Sequence, residues 1–281
     1  MIAFVFTSCQ KDNEVASHTG TNVQAGEIDI DDEKPITGIG YEDEIRAHVD
    51  QHGVNLDMME EMDVTRPDGS VDRVYMVGGD IELTRVQLQE LRTTPPGRQY
   101  STNNLVSNNQ TITVTGLSGY GGGYDLSSRM RTGLQWAINN YNALNIGLSF
   151  SLSYSSNLNA DIVVYRNPGN SGAGGSAGFP SGGNPYKWVQ IYTGMQSYSN
   201  NVNEHVIGHE IGHAIGLRHT DYFSRQSCGQ NVNEGSAGVG ANLIPGTPSG
   251  YDPNSLMLAC FNSGEDGEFG FYDRVALEYL Y

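Results

Sequence analysis

Basic side chains are scarce in this sequence: lysine and arginine together number 15 against 32 aspartates and glutamates, a formal net charge of −17 over 281 residues. Nucleic-acid recognition rests on a dense basic surface, so a polyanion partner is excluded. Long hydrophobic runs are missing too. No stretch of eighteen apolar residues occurs anywhere, which excludes a membrane-spanning helix. Charged residues make up only 17% and hydrophobic residues 37%, with 36 glycines and 16 tyrosines, a profile that is neither disordered polymer, coiled coil nor collagen.

What is present is unevenly spread. Residues 1–98 hold 20 acids and 8 bases, and residues 99–281 hold 12 acids and 7 bases. The second part is long enough to bury a core of its own.

Met1 to Ser8 is an apolar octet running into Cys9, after which Gln10, Lys11, Asp12, Asn13 and Glu14 turn the chain polar. This resembles the end of a bacterial lipoprotein signal, in which small residues precede the cysteine that is acylated, although no Lys or Arg precedes the apolar run and the run is short. The expectation is a signal remnant over residues 1–9 with lipidation at Cys9, then an acidic tether over 10–40. It places the protein outside the cytoplasm, at the bacterial cell surface, in the periplasm or secreted, with membrane attachment only through that lipid. A frayed hydrophobic N-terminus is the other reading. With Cys9 acylated, Cys228 and Cys260 are left to form one disulfide in an oxidising compartment, or to remain two separate thiols.

Residues 41–98 read as a small propeptide-like subdomain. Tyr41 to Gln51 is spaced as a short amphipathic helix, Val71 to Val77 alternates as a strand, and Thr84 to Leu91 is spaced as a second helix. Thr93 to Arg98 (TTPPGR) breaks regular structure and marks a boundary. Beyond it, residues 99–281 form the larger domain. Strands are expected over Gln110–Thr115, Ile146–Tyr154, Asp161–Tyr165 and Trp188–Tyr192, with a buried helical face over Leu126–Leu144.

The chemistry is concentrated in Glu204 to Asp221, EHVIGHEIGHAIGLRHTD. On a helix, His209 and His213 stand one turn apart on one face and can share a metal ion. Glu210 is turned about 100° from His209, placed to reach a water beside the metal as general base. Gly216 can end the helix in a left-handed conformation, so that His219 supplies a third nitrogen from beyond it. Three protein ligands leave a fourth position open, as a catalytic zinc site requires. A chance HExxH arises in about one chain in a hundred of this composition, and the added Gly and His reduce that to about three in a hundred thousand. A core helix with hydrogen-bonded histidines explains the apolar positions but not Gly208 and Gly212, each costing about 1 kcal/mol in a helix interior. His48 and His52 lack an intervening glutamate and read as surface residues. His205 lies too far along the helix axis to join His209 and His213 on one ion.

These residues resemble the metzincin metallopeptidases (HExxHxxGxxH and a later methionine turn), and most closely the bacterial dual-action HEIGH metallopeptidases, since His209 to His213 spells HEIGH. The resemblance implies an α+β zincin fold: a twisted mixed β-sheet, an active-site helix, a C-terminal subdomain after His219 and a final helix near Tyr272 to Tyr281. It implies Zn2+ as cofactor, His209, His213 and His219 as ligands, Glu210 as catalytic base and Met257, in Asn254 to Leu258, as the methionine of the turn. The implied activity is a zinc endopeptidase acting on protein or peptide substrates, the alternative being an inactive surface binding lipoprotein on the same scaffold. Ala259 stands where several metzincins have a tyrosine, and Thr220 fits no one subfamily signature. Val77 to Asp80 (VGGD) resembles the FxGD segment of astacin-type propeptides, which makes Asp80 a candidate latency ligand; a plain turn aspartate is the other reading. Ser176 to Pro180 is the candidate open sheet rim for an extended substrate, a mobile loop being the other reading. Oligomeric state and cleavage preference have no signal in the sequence.

Overall fold

The computed structural model describes residues 58–84, 101–235, 240–248 and 250–281. Cys9, His48, His52, the helix expected over Tyr41–Gln51 and, Thr84 apart, the helix expected over Thr84–Leu91 lie outside the described residues. Among the described residues, no helix is long and apolar enough to cross a membrane.

The frame is one eight-stranded mixed sheet in the order β1-β2-β3-β7-β8-β6-β4-β5. Its strands are β1 (Met59–Thr65), β2 (Val71–Val77), β3 (Ile81–Leu83), β4 (Gln110–Leu117), β5 (Leu148–Ser155), β6 (Ile162–Asn167), β7 (Gly175–Gly178) and β8 (Trp188–Tyr192). Strands β4, β5, β6 and β8 run parallel to one another, whereas β7 pairs antiparallel with β8. β6 is buried from Ile162 to Tyr165 and lies between β4 and β8, as a near-continuous apolar strand should.

Of the subdomain expected over 41–98, residues 58–84 are described, and their strands join the main sheet. β1, β2 and β3 form an antiparallel meander whose last strand pairs in parallel with β7, Ile81 opposite Ala177 and Glu82 opposite Gly178. The rim expected at Ser176 to Pro180 is therefore not open in this chain: β7 is buried throughout, and β3 already takes its outer edge.

Two helices cover one face of the sheet. α1 (Ser128–Ala143) is capped by the Ser127 hydroxyl, which accepts from the Met130 N–H, and buries Met130, Leu134, Ala137, Ile138 and Tyr141 at helical spacing. α2 (Asn200–Ile215) is capped by Ser199 in the same way and is buried at every residue from Val202 to Ile215. A helix enclosed on all sides belongs to the centre of a core. It lies against α1 and against β7 and β8. A Cβ on Gly133 would come within 2.6 Å of the Glu204 backbone nitrogen, so the glycine sets how closely the two helices cross. α3 (Phe271–Leu280) closes the chain, and the side chain of Asp273 in its first turn accepts from the Gly270 N–H at 2.9 Å. Cys228 and Cys260 are joined in a disulfide across 32 residues.

Candidate metal centre

His209 and His213 project from the last two turns of α2. Gly216 then stops the helix at φ 117°, ψ 8°, a left-handed cap that favours glycine. Its N–H reaches the carbonyls of Gly212 and His213, and the Leu217 N–H reaches that of Gly212 at 2.8 Å. The reversal brings His219 back beside the helix, where its Nε2 lies 3.2 Å from Nε2 of His213. Two nitrogens bound tetrahedrally to one zinc at their usual bond lengths would stand about 3.3 Å apart.

Each imidazole is held from behind through Nδ1. His209 meets the Leu256 carbonyl at 3.0 Å, His213 the Leu217 carbonyl at 2.8 Å, and His219 the two Glu234 oxygens at 2.8 and 2.9 Å. Acceptors at all three positions favour a proton on Nδ1 and leave each Nε2 directed inward. His209 Nε2 is buried and has no hydrogen-bond partner, an orphan that a cation would satisfy.

Asp80 completes the group. Its Oδ2 lies 2.9 Å from His219 Nε2 and 3.8 Å from His209 Nε2, and the four ligating atoms of Asp80, His209, His213 and His219 all lie within 4.8 Å of one another. The electrostatics ask for positive charge here. Burial disfavours an imidazolium at His219, yet Asp80 and Glu234 outweigh it and hold the ring up at about 10. Burial, with His209 and His219 beside it, pushes His213 well below its ordinary value and keeps it neutral, as a ligand must be. The donor set, tautomers and spacing fit zinc.

Glu210 is buried next to this group without joining it. Its Oε2 has no hydrogen-bond partner, and burial together with the Asp80 and Glu82 carboxylates pushes its pKa well above the usual range. A Cβ on Gly175 would sit 2.8 Å from Glu210 Cγ, so the β7 glycine makes room for that side chain. His205 stays out of the cluster; its Nδ1 faces Glu265 at 3.9 Å, and burial, with His209 second, lowers it to about 3.

The turn holding Met257 supports the site in two ways. Leu256 gives its carbonyl to His209, while its N–H and the Ser255 hydroxyl are both held by Asp273 at 2.7 Å. Met257 packs under Gly212: a Cβ there would stand 2.6 Å from Met257 Sδ and 3.3 Å from Tyr141 Oη. At Gly208 the nearest atom would be at 3.4 Å, an ordinary contact. Gly212→Ala is therefore expected to destabilise the fold by about 1–3 kcal/mol through overpacking. Gly208→Ala is expected to stabilise it, by up to about 1 kcal/mol of helix propensity. Urea unfolding of both variants checks the pair, and equal midpoints would contradict it.

Sequence reasoning missed Glu234. It lies in an irregular stretch 15 residues beyond His219, and its buried carboxylate binds Arg225 Nη1 as well as His219. No local pattern marks such a residue. Asp221 was also unmarked: it takes the N–H and hydroxyl of Ser227 and the N–H of Ala259, tying the segment after His219 to the methionine turn beside the disulfide.

No curated protein matches the chain. Two solved structures of myroilysin resemble it at 16% identity: "Structure of Myroilysin" over 60% of this chain and 78% of that one with a TM-score of 0.38, and "Crystal structure of myroilysin" over 67% and 92% with a TM-score of 0.39. The family model described as dual-action HEIGH metallo-peptidase matches residues 74–281, which takes in Asp80, the whole of α2 and the methionine turn. This chain, a zinc-dependent peptidase, thus belongs to the dual-action HEIGH metallo-peptidases.

Proposed function

We propose that the protein is a zinc endopeptidase made as a latent precursor, with His209, His213 and His219 holding the metal, Glu210 as catalytic base and Asp80 in the fourth position. The observation that carries this reading is the meeting of three inward-facing Nε2 atoms with one carboxylate oxygen. Zinc bound there would act as a Lewis acid, making water a nucleophile near neutral pH and polarising the scissile carbonyl.

The chain's own residues do the rest. Glu210 takes a proton at Oε2 from the attacking water and delivers it to the departing amine. Glu234 fixes the His219 ring, and the turn at Leu256 to Met257 fixes that of His209. A peptide laid along β7 as an added strand would present one carbonyl to the metal, and β3 occupies that place here. Latency then has two parts, a carboxylate at the metal and a strand on the substrate edge. Cleavage near Arg92 or Arg98 would free the segment that carries both.

Lipid attachment at Cys9 and a place outside the cytoplasm belong to the same proposal. The Cys228–Cys260 disulfide supports it, since such bonds persist in oxidising compartments.

The test is metal content with casein hydrolysis, measured on the chain after cleavage near Arg98. One zinc per chain is expected, with activity lost to a chelator and restored by zinc. The unfolding temperature should fall when the metal is stripped, because a ligand of the native state stabilises it. A cleaved chain that binds one zinc and hydrolyses nothing would favour a binding protein; one that binds no metal would overturn the site.

A further inference from the structure

Two residues beyond Asp80, Glu82 buries its whole side chain against the main sheet. Its Oε1 accepts from the Ser176 hydroxyl at 2.9 Å and from Gln190 Nε2; its Oε2 accepts from Tyr186 Oη at 2.7 Å. Arg66 adds Nη2 at 2.7 Å to Oε2 and Nη1 at 3.5 Å to Oε1.

These donors have two origins. Arg66 belongs to the same meander as Glu82 and is held there by Asp72 at 2.7 Å. Ser176 on β7, Gln190 opposite it on β8 and Tyr186 just before β8 belong to the main fold. Gln190 and Tyr186 are preset as donors. Asn167 Nδ2 donates to Gln190 Oε1 and so turns Nε2 toward Glu82. Burial, with Glu82 beside it, pushes the Tyr186 phenol well above its usual value and keeps its proton in place. A Cβ on Gly178 would meet the Glu82 carbonyl oxygen at 2.7 Å and Tyr186 Cε2 at 2.8 Å, so the β7 glycine lets a neighbouring strand close over this box.

If the meander leaves, Glu82, Arg66 and Asp72 leave together. The box keeps three donors that converge where the carboxylate stood. Leucine offers it nothing, lysine brings a fourth donor, and aspartate is one methylene short.

We propose that Ser176, Tyr186 and Gln190 form a subsite for a glutamate side chain on a peptide strand laid against β7, filled here by Glu82 and in the activated enzyme by a glutamate of the substrate. This rests on the latent-peptidase reading for its substrate half, whereas the binding half can be read without any hydrolysis.

The experiment uses the full chain with a site-specific protease sequence between Thr93 and Arg98, cleaved so that both pieces remain together. Exchange of the N-terminal piece against a labelled peptide of residues 58–84 reads binding. Glu82→Leu in that piece is expected to speed its loss at least tenfold, and Gln190→Leu in the main fold to shrink that difference below threefold. The cycle matters because Glu82→Leu also strips Arg66 of a partner. Equal loss rates, or a Glu82 effect that survives Gln190→Leu, would overturn the subsite.

The second arm is hydrolysis of a peptide series varied one position at a time through Glu, Gln, Asp, Leu and Lys. At one fixed distance from the cut, Glu is expected to exceed Leu at least tenfold in kcat/KM, mainly through KM, and Gln190→Leu to erase that ratio. Hydrolysis without a preferred glutamate position would overturn the substrate assignment. Absence of all hydrolysis would count against the peptidase reading, while the exchange result judges the subsite by itself.

Discussion

Glu210→Gln is expected to slow peptide hydrolysis by about 10²–10⁴-fold while the protein still folds and still binds one zinc per chain. The argument is geometric. Glu210 follows His209 on α2 and is buried beside the four-atom cluster without contributing to it, so its amide analogue leaves the ligands untouched. Glutamine keeps the shape against Gly175 but cannot take a proton from water. The measurement is kcat/KM of the cleaved chain, paired with metal analysis. Activity within tenfold of the parent at full zinc occupancy would remove Glu210 from the mechanism. Lost zinc together with lost activity would instead mark it as a supporter of the site.

The second large effect concerns the uncleaved chain. Asp80→Ala should raise the peptidase activity of the full-length precursor at least tenfold over its parent, since Asp80 Oδ2 stands 2.9 Å from His219 Nε2 where a substrate carbonyl or water has to enter. Full activity is not expected, because β3 still pairs with β7 and Glu82 stays buried against Ser176, Tyr186 and Gln190. Asp80→Asn should fall between the two, its amide oxygen being a weaker ligand of the same shape. The comparison requires each variant before and after cleavage. A precursor of Asp80→Ala as silent as its parent, beside a cleaved form of the same variant that works, would show that latency lies in the strand alone.

How much of this was legible without coordinates depends on the distance along the chain over which each feature is written. The strands Val71–Val77 and Trp188–Tyr192 stand where alternation and apolar runs put them. α1 covers residues 128–143 inside the 126–144 pattern, and the strand expected from Ile146 begins at Leu148. Such features repeat every two or 3.6 residues, so a window of ten suffices. The histidine pair and its glycine stop are of the same kind. Gly208 and Gly212 mark the limit of local reading. They look alike in sequence, yet Met257 lies under only one of them.

Asp80 shows the limit more sharply. As Gly-Gly-Asp after a strand it carried two readings of comparable weight, and nothing within ten residues separates a turn aspartate from one aimed at a metal. The pairing of β3 with β7 decides where it points, a contact between residues 81–82 and 177–178. The same pairing replaced an expected open rim with a covered one and joined residues 59–83 to the main sheet.

The sequence by itself determined the metal-binding helix, its direction and its end, and five of the strands before it but not β1, β3 or β7, because spacing along one helix or strand becomes position through fixed backbone geometry. Only the tertiary structure decided which carboxylate meets the metal cluster, which one steadies His219 and which edge of the sheet is filled. Those are contacts between segments tens to over a hundred residues apart, set by how the whole sheet and core close at once, and no short stretch of residues encodes them.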